Sequence, residues 1–122
     1  EIHQKGIQMI SLADTIGQAS DKIIAEVYSK VCSNFNSLDV GLHLHTHPDS
    51  AIAKINSAWN AGCQRFDVAI GGYGGCPFTN SQLIGNLSTE KMLNFIADKN
   101  IPHSLNTLAF ENAYNFSKKI FN

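Results

Sequence analysis

The stretch "VGLHLHTHPDSAIAKINSAWNAGCQRFDVAI", Val40 to Ile70, decides the fold. It opens on a strand-like run, "VGLHLH" (Val40 to His45), which Pro48-Asp49-Ser50 brings to a stop. A helical segment follows, with Ile52, Ile55, Ala58 and Trp59 on one face and Gly62 as its C-terminal signal. "RFDVAI" (Arg65 to Ile70) then reads as a second strand. Strand, helix and strand at this spacing describe a right-handed crossover between parallel strands.

The flanking sequence repeats the alternation. Upstream, Met9 to Leu12 is a β-type run, and Ser20-Asp21 offers an N-cap. Ile23, Ile24, Val27, Tyr28, Val31, Cys32 and Phe35 then follow the three-four spacing of an amphipathic helix. Downstream, a long loop from Gly71 to Leu87 precedes a helix that begins at Thr89-Glu90 and carries Met92, Leu93, Ile96 and Ala97. A last helix is expected from about Thr107 to Ile120. The order is βαβαβ followed by two helices. It fits a small doubly wound sheet or an arc of a (β/α)8 barrel, and in both architectures functional groups gather past the C-terminal ends of the strands.

Composition narrows the classes. At 122 residues the chain has room for about one domain, and 43% apolar against 16% charged residues is a globular balance, not a disordered one. A formal net charge of −1 provides no basic footprint for nucleic acid or a membrane surface. No apolar run approaches the ~20 residues of a bilayer span. Cys32, Cys63 and Cys76 are odd in number and widely spaced, which favours a reducing compartment over a disulfide framework. Cys32 and Cys63 read as small buried hydrophobes. Cys76 differs, because it ends the glycine-rich "GGYGGCP" (Gly71 to Pro77).

The polar residues at the strand ends carry the chemistry. His43 and His45 stand two apart on a strand, so their side chains leave the same face, and paired imidazoles suit a divalent metal. His47 extends the pattern to H-x-H-x-H but precedes Pro48 and belongs to the turn. Asp14 has two readings, a turn-forming cap or a carboxylate at the strand mouth facing substrate. Asp67 is expected to pair with a polar neighbour in the interior. Gly71, Gly72, Gly74 and Gly75 permit positive φ and close backbone approach to a ligand, and such a loop can present the Cys76 thiol. Gly85-Asn86 reads either as a turn or as an amide oxygen returned to the metal.

Taken together, "ISLADTIG" (Ile10 to Gly17), "HLH" (His43 to His45), "AGCQRFDVAIGGYGGCP" (Ala61 to Pro77) and "GNLSTE" (Gly85 to Glu90) resemble the 3-hydroxy-3-methylglutaryl-CoA lyase family. The resemblance covers nearly the whole chain, and the cysteine loop is its most specific part. It implies that His43, His45 and Asn86 are metal ligands for Mg2+ or Mn2+, and that Asp14, Cys76 and Glu90 serve catalysis. It also implies an acyl-CoA thioester substrate, cleaved to acetyl-CoA and acetoacetate, with no nucleic-acid or membrane partner. The expected location is the cytoplasm, or the mitochondrial matrix in a eukaryote. A related barrel aldolase or condensing synthase is the neighbouring alternative, and a small non-catalytic α/β metal-binding module the distant one.

A whole barrel of this kind needs about 250 residues. The expectation is therefore that residues 1–122 form the C-terminal portion of a (β/α)8 barrel, inactive in isolation. With its sheet edges unpaired, such a piece is expected to associate with further copies as a homo-oligomer.

Overall fold

The computed structural model describes residues 5–75 and 84–121. Strand β1 (Met9–Asp14) leads to helix α1 (Asp21–Asn34), strand β2 (Asp39–Thr46) to helix α2 (Ala51–Asn60), and a short strand β3 (Phe66–Asp67) to a single 3-10 turn at Ile70–Gly72. A two-residue strand β4 (Gly85–Asn86), helix α3 (Thr89–Asp98) and helix α4 (Thr107–Phe121) complete the order.

β1, β2 and β3 are parallel neighbours in that order, as the crossover pattern predicts. The register sets Ala13 beside His43, Asp14 beside Leu44, and His43 beside Asp67. Alternation divides the central strand cleanly. Val40, Leu42 and Leu44 are buried toward the helices, where they meet Ile24 and Tyr28 of α1, Ala51, Ile55 and Ala58 of α2, and Phe95 of α3. Burying each large aliphatic side chain here contributes about 1.5–3 kcal/mol. Gly41, His43 and His45 leave the opposite, concave face.

Three expectations change. The third strand is two residues long instead of six, because the Ala69 N–H donates to the Leu87 carbonyl (3.0 Å) and its carbonyl accepts from Thr89 N–H (2.9 Å). Past Asp67 the extended chain forms one isolated parallel bridge, Ala69 with Ser88, in place of a longer ladder. On α1, Ile24 and Tyr28 are buried, whereas Ile23, Val27 and Phe35 are about half exposed. The predicted apolar stripe is wider than the sheet it packs on. On α3, Phe95 is the buried residue, and the expected stripe of Met92, Leu93 and Ile96 lies at its margins.

Local signals hold at the ends of the elements. Ser20 caps α1, its hydroxyl accepting from Ile23 N–H at 3.3 Å, and Ser88 caps α3 in the same way through Lys91 N–H at 3.2 Å. Gly62 follows α2 with φ +97°, a conformation that favours glycine. Cys63 is fully buried, as expected, while Cys32 is only partly so.

Candidate metal centre at the strand ends

β4 builds the site. It pairs antiparallel with the tip of β2, setting Asn86 directly opposite His45 and Gly85 opposite Thr46. Residues opposed in an antiparallel pair project side by side from one face. The Asn86 amide therefore joins the His45 imidazole, while His43, two residues back on β2, contributes a second ring 5.4 Å away centre to centre.

Two atoms in this cluster are buried without a hydrogen-bond partner among the described residues: Nδ1 of His45 and Oδ1 of Asn86. Leaving a buried polar atom unpaired costs about 1–3 kcal/mol, so such atoms call for an explanation. The Asn86 amide has a defined orientation, because its Nδ2 donates to the Tyr73 carbonyl at 2.9 Å. That bond leaves Oδ1 as the free acceptor. Two imidazoles and one amide oxygen form a mixed nitrogen and oxygen donor set, which a divalent cation fits. Among the described residues no three of His, Cys, Asp and Glu lie together.

The glycine loop holds this geometry from behind. Gly71, Gly72 and Gly74 all have positive φ (66°, 65° and 91°). A Cβ at Gly74 would stand 2.7 Å from Asn86 Nδ2, and one at Gly72 would stand 2.9 Å from the Asn86 carbonyl. Glycine is required here because the loop backbone lies directly on β4. Glu90, in the first turn of α3, anchors the loop by accepting from Gly71 N–H through both carboxylate oxygens, at 3.0 and 3.1 Å. Cys76 lies outside the described residues. A cavity beside the loop is lined by Thr46, Ala51, Gly72, Asn86 and Lys91.

Asp14 has a different setting. It shares the parity of Ile10 and Leu12, so it leaves the helix-facing side of β1, opposite to the histidines. Its Oδ1 accepts from Gln18 N–H and its Oδ2 from Ala19 N–H, both at 3.1 Å. Lys54 of α2 donates to the same Oδ2 at 3.1 Å and to the Gly17 carbonyl at 2.9 Å. The side chains of this pair are 5% and 9% exposed, so it is a buried ion pair. The contacts correspond to the turn-forming reading of Asp14. Its reach toward the site is indirect, through Gly17, whose absent Cβ would stand 3.0 Å from the His45 carbonyl.

Sequence reasoning passed over three contributors. Lys54 occupies a core position of α2, and a lysine there demands a carboxylate partner. Arg65 crosses beneath the histidines on the concave face, over Gly41, where a Cβ would stand 2.6 Å from the guanidinium carbon. It bonds the Ile10 carbonyl, the Ser11 hydroxyl (3.1 Å) and the Asp39 carbonyl (3.1 Å), and its Nε lies 3.3 Å from the Asp39 carboxylate. Asp67 was expected to pair in the interior; it does face polar neighbours, 3.6 Å from His43 Nδ1 and 4.0 Å from Arg65 Nη1, but its side chain is 42% exposed because β3 lies at the open edge of the described sheet.

Burial perturbs two groups in the core behind the site. Desolvation pushes the Tyr28 phenol well above its usual range, and its hydroxyl donates to the Val40 carbonyl at 3.1 Å. Desolvation likewise raises the Cys63 thiol, which donates to the Arg65 carbonyl at 3.3 Å. Both stay protonated at neutral pH and act as packing groups.

The profile of the HMGL-like family matches residues 1–116. An (R)-citramalyl-CoA lyase of Chloroflexus aurantiacus is 32% identical over 104 residues, 85% of this chain and 32% of that protein. A hydroxymethylglutaryl-CoA lyase of Bacillus subtilis is 32% identical over 96 residues, 79% of this chain and 32% of its own length. The structure of an HMG-CoA lyase from Acinetobacter baumannii, in complex with coenzyme A and 3-methylmalate, superimposes with a TM-score of 0.78 at 31% identity, covering 93% of this chain and 37% of that one. The chain thus spans about a third of the length of the relatives it matches. Its parallel sheet and helices have the fold of part of these barrel lyases.

Proposed function

The chain belongs to the HMGL-like family, and on that premise we propose that it forms part of a carbon–carbon lyase acting on an acyl-CoA thioester, 3-hydroxy-3-methylglutaryl-CoA, with His43, His45 and Asn86 as ligands to Mg2+ or Mn2+. The observation that carries this reading is the pair of buried atoms without hydrogen bonds among the described residues, His45 Nδ1 and Asn86 Oδ1, which β2 and β4 present from one face. A bound divalent cation would supply a Lewis acid that orients and polarises substrate oxygens.

The chain's own residues prepare that chemistry. The bond from Asn86 to the Tyr73 carbonyl holds the amide with its oxygen free, and Glu90 fixes the start of the same loop through Gly71. Glu90 therefore acts as a positioning residue. Asp14 and Lys54 hold the turn after β1 through Gly17, on the helix side of the sheet and away from the metal donors. In the proposed cleavage the tertiary hydroxyl loses its proton, the bond between the carbinol carbon and the acetyl methylene breaks, and the acetyl-CoA enolate takes up a proton. Cys76, next after Gly75 in sequence, is the group we assign to organising that last transfer.

A relative named as a citramalyl-CoA lyase supports a second reading, in which the substrate is citramalyl-CoA and the bond-breaking chemistry is of the same type. The test uses the full-length protein that contains this chain, supplied with Mn2+ and each thioester in turn, with acetyl-CoA release followed by chromatography. Release from 3-hydroxy-3-methylglutaryl-CoA alone is expected. Release from citramalyl-CoA alone selects the second reading. A Mn2+-loaded protein that consumes neither thioester contradicts both.

A further inference from the structure

We propose that Asp67 is a positioning residue for His43: its carboxylate holds the proton of the neutral imidazole on Nδ1 and so turns Nε2, with its lone pair, toward the metal. This rests on the metal reading given above and deepens it to one further residue.

The parallel register places Asp67 of β3 beside His43 of β2, and the two side chains leave the concave face together. The Asp67 Oδ2 atom lies 3.6 Å from His43 Nδ1, so a small rotation of either side chain closes a hydrogen bond. Nδ1 is the ring nitrogen that faces the carboxylate. In a neutral imidazole one nitrogen donates and the other accepts, and an anionic neighbour selects the donor.

Asp67 is itself held in place. Its other oxygen, Oδ1, is 4.0 Å from Arg65 Nη1, and that guanidinium is tied to Ser11, Ile10 and Asp39 of the two neighbouring strands. Arg65 thus faces Asp67 from the side away from His43. The order from the lower concave face upward is Arg65, Asp67, His43. Carboxylate partners of this kind fix the tautomer and orientation of ligating histidines, and losing one typically costs about 10–100-fold in metal affinity. Among the described residues the carboxylate contact on this strand falls on His43 and not on His45, whose open Nδ1 is the atom read above as facing the metal. The two histidines are therefore inequivalent, and the effect of Asp67 falls on His43 alone.

The test reads the tautomer without metal and the affinity with it. Nitrogen-15 NMR of the metal-free full-length protein that contains this chain, at a pH where the imidazoles are neutral, distinguishes protonated from unprotonated ring nitrogens. The expected result is a protonated Nδ1 on His43, lost in Asp67→Ala and retained in Asp67→Asn, whose amide oxygen still accepts. Mn2+ affinity, measured by electron paramagnetic resonance, is expected to fall about 10–100-fold in Asp67→Ala and less in Asp67→Asn. An unchanged His43 tautomer in Asp67→Ala overturns the proposal. So does an Asp67→Asn loss equal to that of His43→Ala, which would make Asp67 a ligand. If the protein takes up no Mn2+ while the tautomer still answers to Asp67, the metal reading fails and the positioning stands.

Discussion

Asp14 and His45 end neighbouring strands, yet their side chains leave opposite faces of the sheet and meet opposite environments. On the helix side, both oxygens of Asp14 accept backbone N–H groups, and Lys54 neutralises the charge. On the concave side, His45 Nδ1 and Asn86 Oδ1 are buried with no partner among the described residues. Arg65, lower on that same face, is intermediate: its charge meets Asp39 and its terminal N–H groups reach two carbonyls, but its buried Nε makes no hydrogen bond among the described residues. Saturated polar clusters hold strands and loops together. Among the described residues, the cluster of His45 and Asn86 is where an external ligand gains most, since it removes a desolvation cost that these residues leave uncompensated.

The largest effect should come from breaking the saturated cluster. Lys54→Met leaves Asp14 buried without its cation and is expected to lower unfolding stability by about 3–5 kcal/mol in urea titrations. The double variant Asp14→Leu with Lys54→Met should recover most of that loss, because apolar replacement of a buried pair is often neutral. A Lys54→Met protein as stable as the parent would remove the contrast.

The open cluster should behave in the reverse way. His45→Ala is expected to weaken Mn2+ binding by more than the ~10–100-fold typical of outer-shell changes, with stability within about 1 kcal/mol of the parent, since an unpaired polar atom is removed. Calorimetric titration and urea denaturation on one preparation check both halves. A large stability loss with metal affinity intact would assign His45 to the fold.

A smaller effect probes the loop between these extremes. Gly74→Ala adds a Cβ 2.7 Å from Asn86 Nδ2 at a φ of +91°. It is expected to cost about 1–3 kcal/mol in backbone strain and to lower Mn2+ affinity by displacing the amide. Parent-like affinity would mean that the loop does not hold Asn86.

The smallest effect calibrates the core against both clusters. Burial raises the folded-state pKa of Cys63 and of Tyr28 above the unfolded values. Their stabilising contribution is complete below about pH 8.5 for the thiol and about pH 10 for the phenol. It is lost as pH rises toward the folded-state values, because the unfolded chain releases its protons first. Stability should therefore decline above about pH 8.5, and Cys63→Ala should make that decline shallower. Identical slopes for parent and variant would remove the thiol from the explanation.

The legible part of the site followed from periodicity. Alternation alone sets His43 and His45 on one face, and the same parity, continued from Ile10 and Leu12, sends Asp14 to the other. Lys54 was legible too, as a charge at a core position beside Ala51, Ile55 and Ala58. Asn86 was not accessible from periodicity, because two residues have none. β4 exists through its bonds to β2 and the glycine loop, so the residues alone left Asn86 as either a turn or a donor, and the family resemblance favoured the donor. The early end of β3 was hidden for a related reason. "RFDVAI" has six residues of strand-like composition, but the carbonyl and N–H of Ala69 are taken by Thr89 and Leu87, from across the loop.

Saturation of the Asp14–Lys54 cluster and the open donors of His45 and Asn86 separate in a single Mn2+ titration series. Mn2+ binding is measured by electron paramagnetic resonance for the parent, for Asp14→Leu with Lys54→Met, and for Asn86→Ala. One Mn2+ per chain is predicted in the parent and in the double variant, with binding lost or strongly weakened in Asn86→Ala. Loss of Mn2+ from the double variant while Asn86→Ala retains it would contradict the account.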